Sequence, residues 1–152
     1  MKNVFEELDK AMSQSATAET NATAYIAVEQ SDNRIAYGYA VYIGDKCLST
    51  GAKLLPSVTT WHGELLAAVA ALEAIDEGIS VRVVTPSDRI EKWLVTNGAP
   101  KQFRDTWQRF TELAKKRDVI FQCVTGWNGD DRLAQCRQIT MVALSEGEVK
   151  GK

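Results

Sequence analysis

The spacing of apolar residues changes part-way along the chain, and this change limits the folds open to it. Residues 24–28, 35–43 and 46–55 are rich in aromatic and β-branched side chains and are joined by short links. Such segments are typical of consecutive antiparallel strands. Over residues 61–76, apolar residues instead recur at spacings of three and four, which predicts a helix that faces a hydrophobic core.

The second half of the chain alternates strands and helices. Residues 80–85 and 119–124 are expected to be strands, with two helices between them and a last helix after them, at about 87–95, 101–116 and 131–144. Parallel strands joined by helices need those helices packed on the sheet. The sequence therefore predicts an α/β fold in which helices flank a five-stranded mixed sheet. The sheet begins with a three-strand antiparallel meander and continues with helix-linked parallel strands.

The chain of 152 residues suits a single core. Residues 1–22 are expected to be an amphipathic helix and a small, polar linker, residues 23–144 the folded domain, and residues 145–152 a loose charged tail. Four apolar residues give the first segment its helical spacing: Val4, Phe5, Leu8 and Met12. Two interpretations stay open for it, a partly ordered leader or a helix that docks on the domain or on a partner.

Composition narrows the class of protein. The net charge of −2 is not that of a protein that grips nucleic acid by bulk charge, although a local basic face is compatible with it. No apolar run approaches the roughly 18 residues of a membrane helix, and no secretory signal opens the chain. Cys47, Cys123 and Cys136 are too widely spaced for a metal pattern. We therefore expect reduced thiols, a cytoplasmic location and no membrane partner.

Several segments, in this order, resemble the type 1 ribonuclease H family. Residues 64–75 (ELLAAVAALEAI) resemble the family's first helix, which opens with a catalytic glutamate. Residues 105–110 (DTWQRF) and the strand at 120–124 resemble its later helix and fifth strand. Residues 84–90 resemble the strand end before a helix, and residues 125–132 resemble the glycine-containing loop before the last helix. The resemblance covers about residues 23–144 and implies the mixed five-stranded sheet.

The resemblance also implies cleavage of the RNA strand of an RNA–DNA hybrid by two magnesium ions that four acidic residues hold. Those four positions fall on Glu29, Glu64, Pro86 and Ala134, so two acids are retained. Glu29 replaces an aspartate and is one methylene longer. A histidine of the family's last loop falls on Trp127. With fewer acids, magnesium binding is expected to be weak. The expected cofactor is therefore none, or a single weakly held Mg²⁺ or Mn²⁺ on Glu29 and Glu64.

Neighbouring acids offer replacements for the two lost ones. Asp88 follows Pro86 closely, and Asp130 and Asp131 precede Ala134 by one helical turn. The alternative is that these acids only cap helices or interact with the helix dipole, as acids in a first turn commonly do. Ser87 is expected to cap the helix that Asp88 would begin.

Aromatic residues near the same site are candidates for binding. Trp61, His62 and Trp127 are candidates to contact nucleic acid or a protein partner, since tryptophan stacks on bases and anchors protein interfaces. Each also has a purely structural interpretation: packing for the two tryptophans, and an exposed or capping position for His62. Trp93 and Trp107 follow apolar helix faces and are expected in the core.

Two hypotheses for the function follow. In the first, the chain is a catalytically degenerate ribonuclease H-like domain that binds a protein or a nucleic acid (hybrid, duplex or single strand). In the second, it is a metal-dependent endonuclease with a rearranged site of Glu29, Glu64 and either Asp88 or Asp131. The sequence leaves the oligomeric state open.

Overall fold

The computed structural model describes residues 21–31, 34–56, 60–96, 98, 101–124, 131–146 and 149–150. The expectations for the N-terminal helix, for Trp127 and for Asp130 lie outside the described residues.

The secondary structure follows the predicted order. The three strands of the meander are β1 (Ala22–Ser31), β2 (Arg34–Ile43) and β3 (Lys46–Pro56). The next elements are α1 (Thr60–Glu73), β4 (Ser80–Thr85), α2 (Arg89–Val95) and, after a 3-10 turn at Lys101–Phe103, α3 (Arg104–Lys115). The last are β5 (Asp118–Cys123), α4 (Asp131–Glu146) and the short β6 (Val149–Lys150).

The strands form one sheet in the order β5-β4-β1-β2-β3-β6. β1, β2 and β3 pair antiparallel in sequence order, while β4 is parallel to both β1 and β5. The five-stranded mixed sheet predicted from the sequence is therefore confirmed. β6 is an addition from the segment expected to be a loose tail. It pairs with β3 because an edge strand offers unpaired backbone groups.

Helices cover the two faces of the sheet unequally. α1 packs on β1 and β2, and α3 packs on α1, so this side holds the larger core. α4 packs on β1, β2 and β3 on the other face. It approaches β2 closely at Gly38, where a β-carbon would overlap the Thr140 hydroxyl and lie 3.3 Å from the Cys136 carbonyl oxygen. Glycine permits this approach because it has no side chain.

The start of α2 differs from the expected cap. α2 begins at Arg89, and Asp88 occupies the capping position without a side-chain capping bond. The Ser87 hydroxyl accepts the Arg89 backbone N–H at 3.2 Å, so Ser87 satisfies one of the open helix donors, although the helix begins one residue later than expected. Ser87 is itself held by a backbone N–H bond to the Thr85 hydroxyl oxygen at 3.1 Å.

Two further expectations concern the cysteines and membranes. All three cysteines are free, with Cys47 and Cys123 exposed and Cys136 buried. Burial raises the pKa of the Cys136 thiol to about 12.

Within the described ranges, no helix combines the length and apolar character needed to cross a bilayer.

Candidate functional site

Glu29 lies near the carboxyl end of β1 on the face that α4 covers. Side chains alternate along a strand, and Tyr25 and Ala27, which share its parity, belong to the α4-side core. The Nε atom of Arg137, from α4, donates to Oε2 of Glu29 at 3.2 Å. The two side chains are 39% (Arg137) and 18% (Glu29) exposed, so the ion pair is partly shielded from water. The first of the retained acids is thus charge-compensated by a guanidinium.

The residue that α4 presents to Glu29 is Arg137, one helical turn beyond Ala134. The described part of α4 thus presents a cation to Glu29. Ala134, the position expected for the fourth acid, lies three residues earlier, and residues three apart on a helix share a face. Sequence reasoning missed Arg137, although a cation on the helix face expected to carry the fourth acid was a visible signal.

Asp131 is not brought to Glu29. Its neighbour Arg132 donates to the Gly44 carbonyl oxygen at 2.9 Å and to Asp45 Oδ1 at 3.1 Å, in the turn between β2 and β3. That turn adjoins Ala22, at the start of β1. Seven residues of strand, about 23 Å, separate Ala22 from Glu29. The first turn of α4 therefore lies toward the opposite end of the sheet.

Glu64 lies in the first turns of α1 and is half-buried. Burial raises the pKa of this carboxyl, and the nearby Asp88 carboxylate raises it further. A hydrogen bond from the Ser87 side chain and the Arg89 charge oppose the shift and only partly cancel it. The side chain at the end of β4 that bonds Glu64 is therefore the Ser87 hydroxyl, and Pro86 supplies no ligand.

Asp88 adjoins this site but also has a local partner. Its Oδ2 lies 3.4 Å from Nζ of Lys92, one turn along α2, and both side chains are largely exposed. This is the arrangement expected of a first-turn acid. In the part of the chain that the structure describes, no three histidine, cysteine or acidic side chains gather into a group suited to a metal ion. Among the described residues, neither Glu29 nor Glu64 therefore belongs to such a group.

Trp61 is partly exposed at the entrance to α1. The Arg89 guanidinium carbon lies 4.0 Å from the centre of its ring, and 40% of Trp61 is accessible. Arg89 is also the cation close to Glu64, and its Nε atom is buried with no hydrogen-bond partner among the described atoms. Arg89 therefore links the second retained acid to the exposed tryptophan, a role that the sequence did not reveal.

His62 joins α1 to α3. Its Nε2 atom is 2.9 Å from the Thr106 hydroxyl, and its ring stacks on Phe103 with centres 4.8 Å apart. Burial lowers the pKa of His62. His62 is half-buried, whereas an exposed or capping position was expected. The reason is that its ring points from the start of α1 toward α3. Trp93 and Trp107 are partly buried and pack against the larger core, as the apolar faces of their helices predicted.

Ribonucleases H from several bacteria are similar to this chain in sequence. A ribonuclease H from Syntrophotalea carbinolica is 28% identical over 105 residues, which is 60% of this chain and 69% of that protein. A ribonuclease H from Pseudomonas paraeruginosa is 26% identical over 104 residues, again 60% of this chain and 70% of that protein. The chain is therefore similar in sequence to ribonucleases H, which supports a divergent relationship to that family. A scan against models of protein families finds no match.

Solved structures of ribonuclease H domains share the fold of this chain. Ribonuclease H1 from Halobacterium salinarum superposes with a TM-score of 0.67 at 21% identity, over 84% of this chain and 99% of that one. The N-terminal ribonuclease H domain of a Mycobacterium tuberculosis protein gives 0.70 at 12% identity, over 83% and 94%. LC11-RNase H1 in complex with an RNA/DNA hybrid gives 0.68 at 14% identity, over 83% and 98%. At these identities the likeness establishes the fold.

Proposed function

We propose that this ribonuclease H-like domain binds nucleic acid, with RNA–DNA hybrid as the first candidate, and does not cleave it. The observation that carries the proposal is the ion pair between Glu29 and Arg137, 3.2 Å from Nε to Oε2. A magnesium ion needs carboxylate oxygens that are free to coordinate it. A guanidinium bonded to one of those oxygens competes with the metal for both the ligand and the charge.

The charge balance of the site supports the same conclusion. The family's arrangement sets four carboxylates against two divalent cations. Here the retained acids, Glu29 and Glu64, are accompanied by Arg137 and Arg89. Asp88, which also lies close to Glu64, is paired with Lys92, so these charges balance without a metal. The domain is therefore expected to need none, or to hold a single Mg²⁺ or Mn²⁺ weakly.

A surface at the start of α3 supports binding of nucleic acid. It is an open groove of about 400 Å³ lined by His62, which follows Trp61 in α1, and by Lys101, Gln102, Phe103, Arg104, Asp105 and Thr106. Lys101 and Arg104 are exposed, and so is much of the Trp61 ring. Cations that contact phosphates beside an aromatic ring that stacks on a base are the usual means of holding a strand. The solved relative bound to an RNA/DNA hybrid makes that ligand the first to try.

The binding test uses fluorescence anisotropy of the full chain with labelled RNA–DNA hybrid, duplex DNA and single-stranded RNA across a salt series. We expect affinity to fall as salt rises, because bound phosphates release counterions. Replacing both Lys101 and Arg104 with alanine should weaken binding and make the salt dependence shallower. Lys53→Ala, an exposed lysine on β3, is the matched control and should bind as the wild type does. Salt-independent or absent binding contradicts a nucleic-acid role and favours a protein partner.

The cleavage test incubates the same labelled hybrid with magnesium and, separately, with manganese. We expect intact RNA strands. Cleavage that is lost in Glu64→Gln would overturn the proposal, since it would show that the retained acid still serves catalysis.

One observation favours the alternative, a metal-dependent endonuclease with a rearranged site. Asp88 is close enough to Glu64 to raise its pKa, and two adjacent carboxylates favour a cation between them. Calorimetric titration with manganese distinguishes the two functions. Binding at millimolar concentration that Asp88→Asn abolishes supports the nuclease, whereas heats equal to the buffer blank support the binding domain.

A further inference from the structure

One side of the sheet is only partly covered by α4. α4 packs on β1, β2 and β3, whereas β4 and β5 form the other end of the sheet. Alternation along these two strands points four exposed side chains to the α4 side: Arg82, Asp118, Ile120 and Gln122. Ile120 is 59% exposed, although parallel strands such as β4 and β5 are usually covered on both faces. We call these four residues the open strip.

A groove runs along the open strip where the strands begin. It has a volume of about 540 Å³ and lies between the first turn of α4 and the starts of β1, β4 and β5. Tyr25 and Ile120 give it an apolar floor, and Arg82 and Arg132 line its sides. Asn21, the first residue that the structure describes, also lines it. The polypeptide therefore enters the folded domain at the rim of this groove.

We propose that residues 3–14 of the same chain dock on the open strip as an amphipathic helix. The four apolar residues of that segment would then cover Ile120 and the groove floor: Val4, Phe5, Leu8 and Met12. This contact would bury the apolar side chains of that segment together with Ile120, which is 59% exposed.

The connecting segment is long enough for this contact. Ala22 pairs with Val81 of β4, and the neighbouring Ser80 pairs with Asp118 of β5, so β5 lies two strand spacings from the start of β1. That distance is about 10 Å. Residues 13–20 can span up to roughly 26 Å when extended. The tether also holds the helix at an effective concentration near the millimolar range, which favours the chain's own segment over a second copy.

Charges on the two surfaces are compatible. On a helical wheel, Glu7 and Asp9 flank the apolar stripe on opposite sides. Arg82 is exposed on the open strip and can pair with either acid. Arg132 already contacts Asp45, so it contributes less to pairing with Glu7 or Asp9. Asp118 is the opposing charge on the strip and has no matching lysine in residues 3–14, because Lys10 lies opposite the apolar stripe on the wheel.

The direct test is nuclear Overhauser spectroscopy on the full chain with labelled isoleucine methyl groups and labelled phenylalanine. We expect a cross-peak between the δ1 methyl of Ile120, assigned with Ile120→Val, and the ring of Phe5. Leu8→Asp should remove it, and Ala16→Asp, in the linker, should leave it unchanged. Its absence in the wild-type chain, with the Ile120 methyl shift unaltered by Leu8→Asp, overturns the proposal.

A mixture of separately labelled chains distinguishes a second copy from the chain's own segment. A cross-peak between differently labelled chains means that the strip is a dimer contact and also overturns the proposal.

Thermal denaturation adds a second readout. Leu8→Asp and Ile120→Asp should each lower Tm by roughly 3 °C, and the double variant should lose little more than either alone. Fully additive losses contradict a contact between the two sites.

Discussion

The Nε atom of Arg137 lies 3.2 Å from Oε2 of Glu29, although 108 positions separate the two residues in the chain. The pair joins β1 to α4 and engages a carboxylate that the alternative function, a metal-dependent nuclease, would need free. It therefore bears on both the stability of the domain and its capacity to bind cations.

Arg137→Met should destabilise the fold by about 1–2 kcal/mol. The expected loss lies between the values for exposed and fully buried ion pairs, because Glu29 is 18% exposed and water still screens the charge. Urea denaturation measures it. In a double-mutant cycle with Glu29→Gln, the second change should cost less once the first is made. Lys92→Met, which removes the exposed partner of Asp88, is the control and should cost under about 0.5 kcal/mol. Additive losses in the cycle would show that the pair contributes nothing.

Glu64→Gln should alter how stability depends on pH. Because its pKa is raised in the folded state, Glu64 holds its proton more tightly there than in the unfolded chain. Its contribution is therefore most favourable below the ordinary glutamate pKa and is lost as pH rises toward the raised value. The variant should gain stability relative to the wild type across that mildly acidic interval, as urea midpoints at a series of pH values will show. The stability of Glu91→Gln, a change at an exposed position of α2, should depend on pH in the same way as that of the wild type.

The candidate site could be predicted only in part from the sequence. Glu29 and Glu64 were identified through the resemblance to the ribonuclease H family, which places an acid at the end of the first strand and another at the start of the first long helix. The partners of these acids, Arg89 and Arg137, were missed because both contacts form across the fold.

Gly38→Ala should destabilise the protein by about 2 kcal/mol, since a methyl group would overlap the Thr140 hydroxyl and force α4 away from β2. Gly63→Ala is the control. Its β-carbon would meet Val28 at 3.3 Å, and the better helix propensity of alanine offsets that contact. Chemical denaturation should also show that Thr140→Ala relieves part of the Gly38→Ala loss. If Gly38→Ala left the free energy of unfolding unchanged, α4 would be able to move away from β2 without destabilising the protein.

Arg117→Met should cost about 2–3 kcal/mol. Arg117 is only 9% exposed, and it donates from Nε to the Ile75 carbonyl oxygen at 2.9 Å and from Nη1 to the Leu113 carbonyl oxygen at 3.0 Å. Methionine keeps the apolar stem but removes the side-chain donor from the Ile75 oxygen and one of two donors from the Leu113 oxygen, which also accepts the Lys116 backbone N–H. Unfolding in urea provides the measurement, with Lys115→Met, exposed at the end of α3, as the control. Equal losses in the two variants would indicate that the carbonyl bonds are unimportant.

The fold was more predictable than the site. The alternation in β1–β3 and the spacing in α1 gave both the type and the order of these elements, because burial on one face imposes those periods. β6 was not foreseen, since a two-residue strand leaves no pattern of its own. Its pairing with Gly51 and Ala52 depends on the edge that β3 offers.

The uninterrupted pairing of β1 with β2, from Ala22 with Ile43 to Ser31 with Arg34, bears on the order of folding. Pairing of β1 with β2 closes only the short loop between them. β3 then pairs with β2, its neighbour in the sequence, so no long stretch of chain has to be closed. The parallel pairing of β1 with β4 must instead wait until α1 has bridged the intervening chain. Because nearby contacts cost less chain entropy, we expect the meander to be the nucleus on which the later strands assemble. Glu29 would then be in position before Arg137 reaches it.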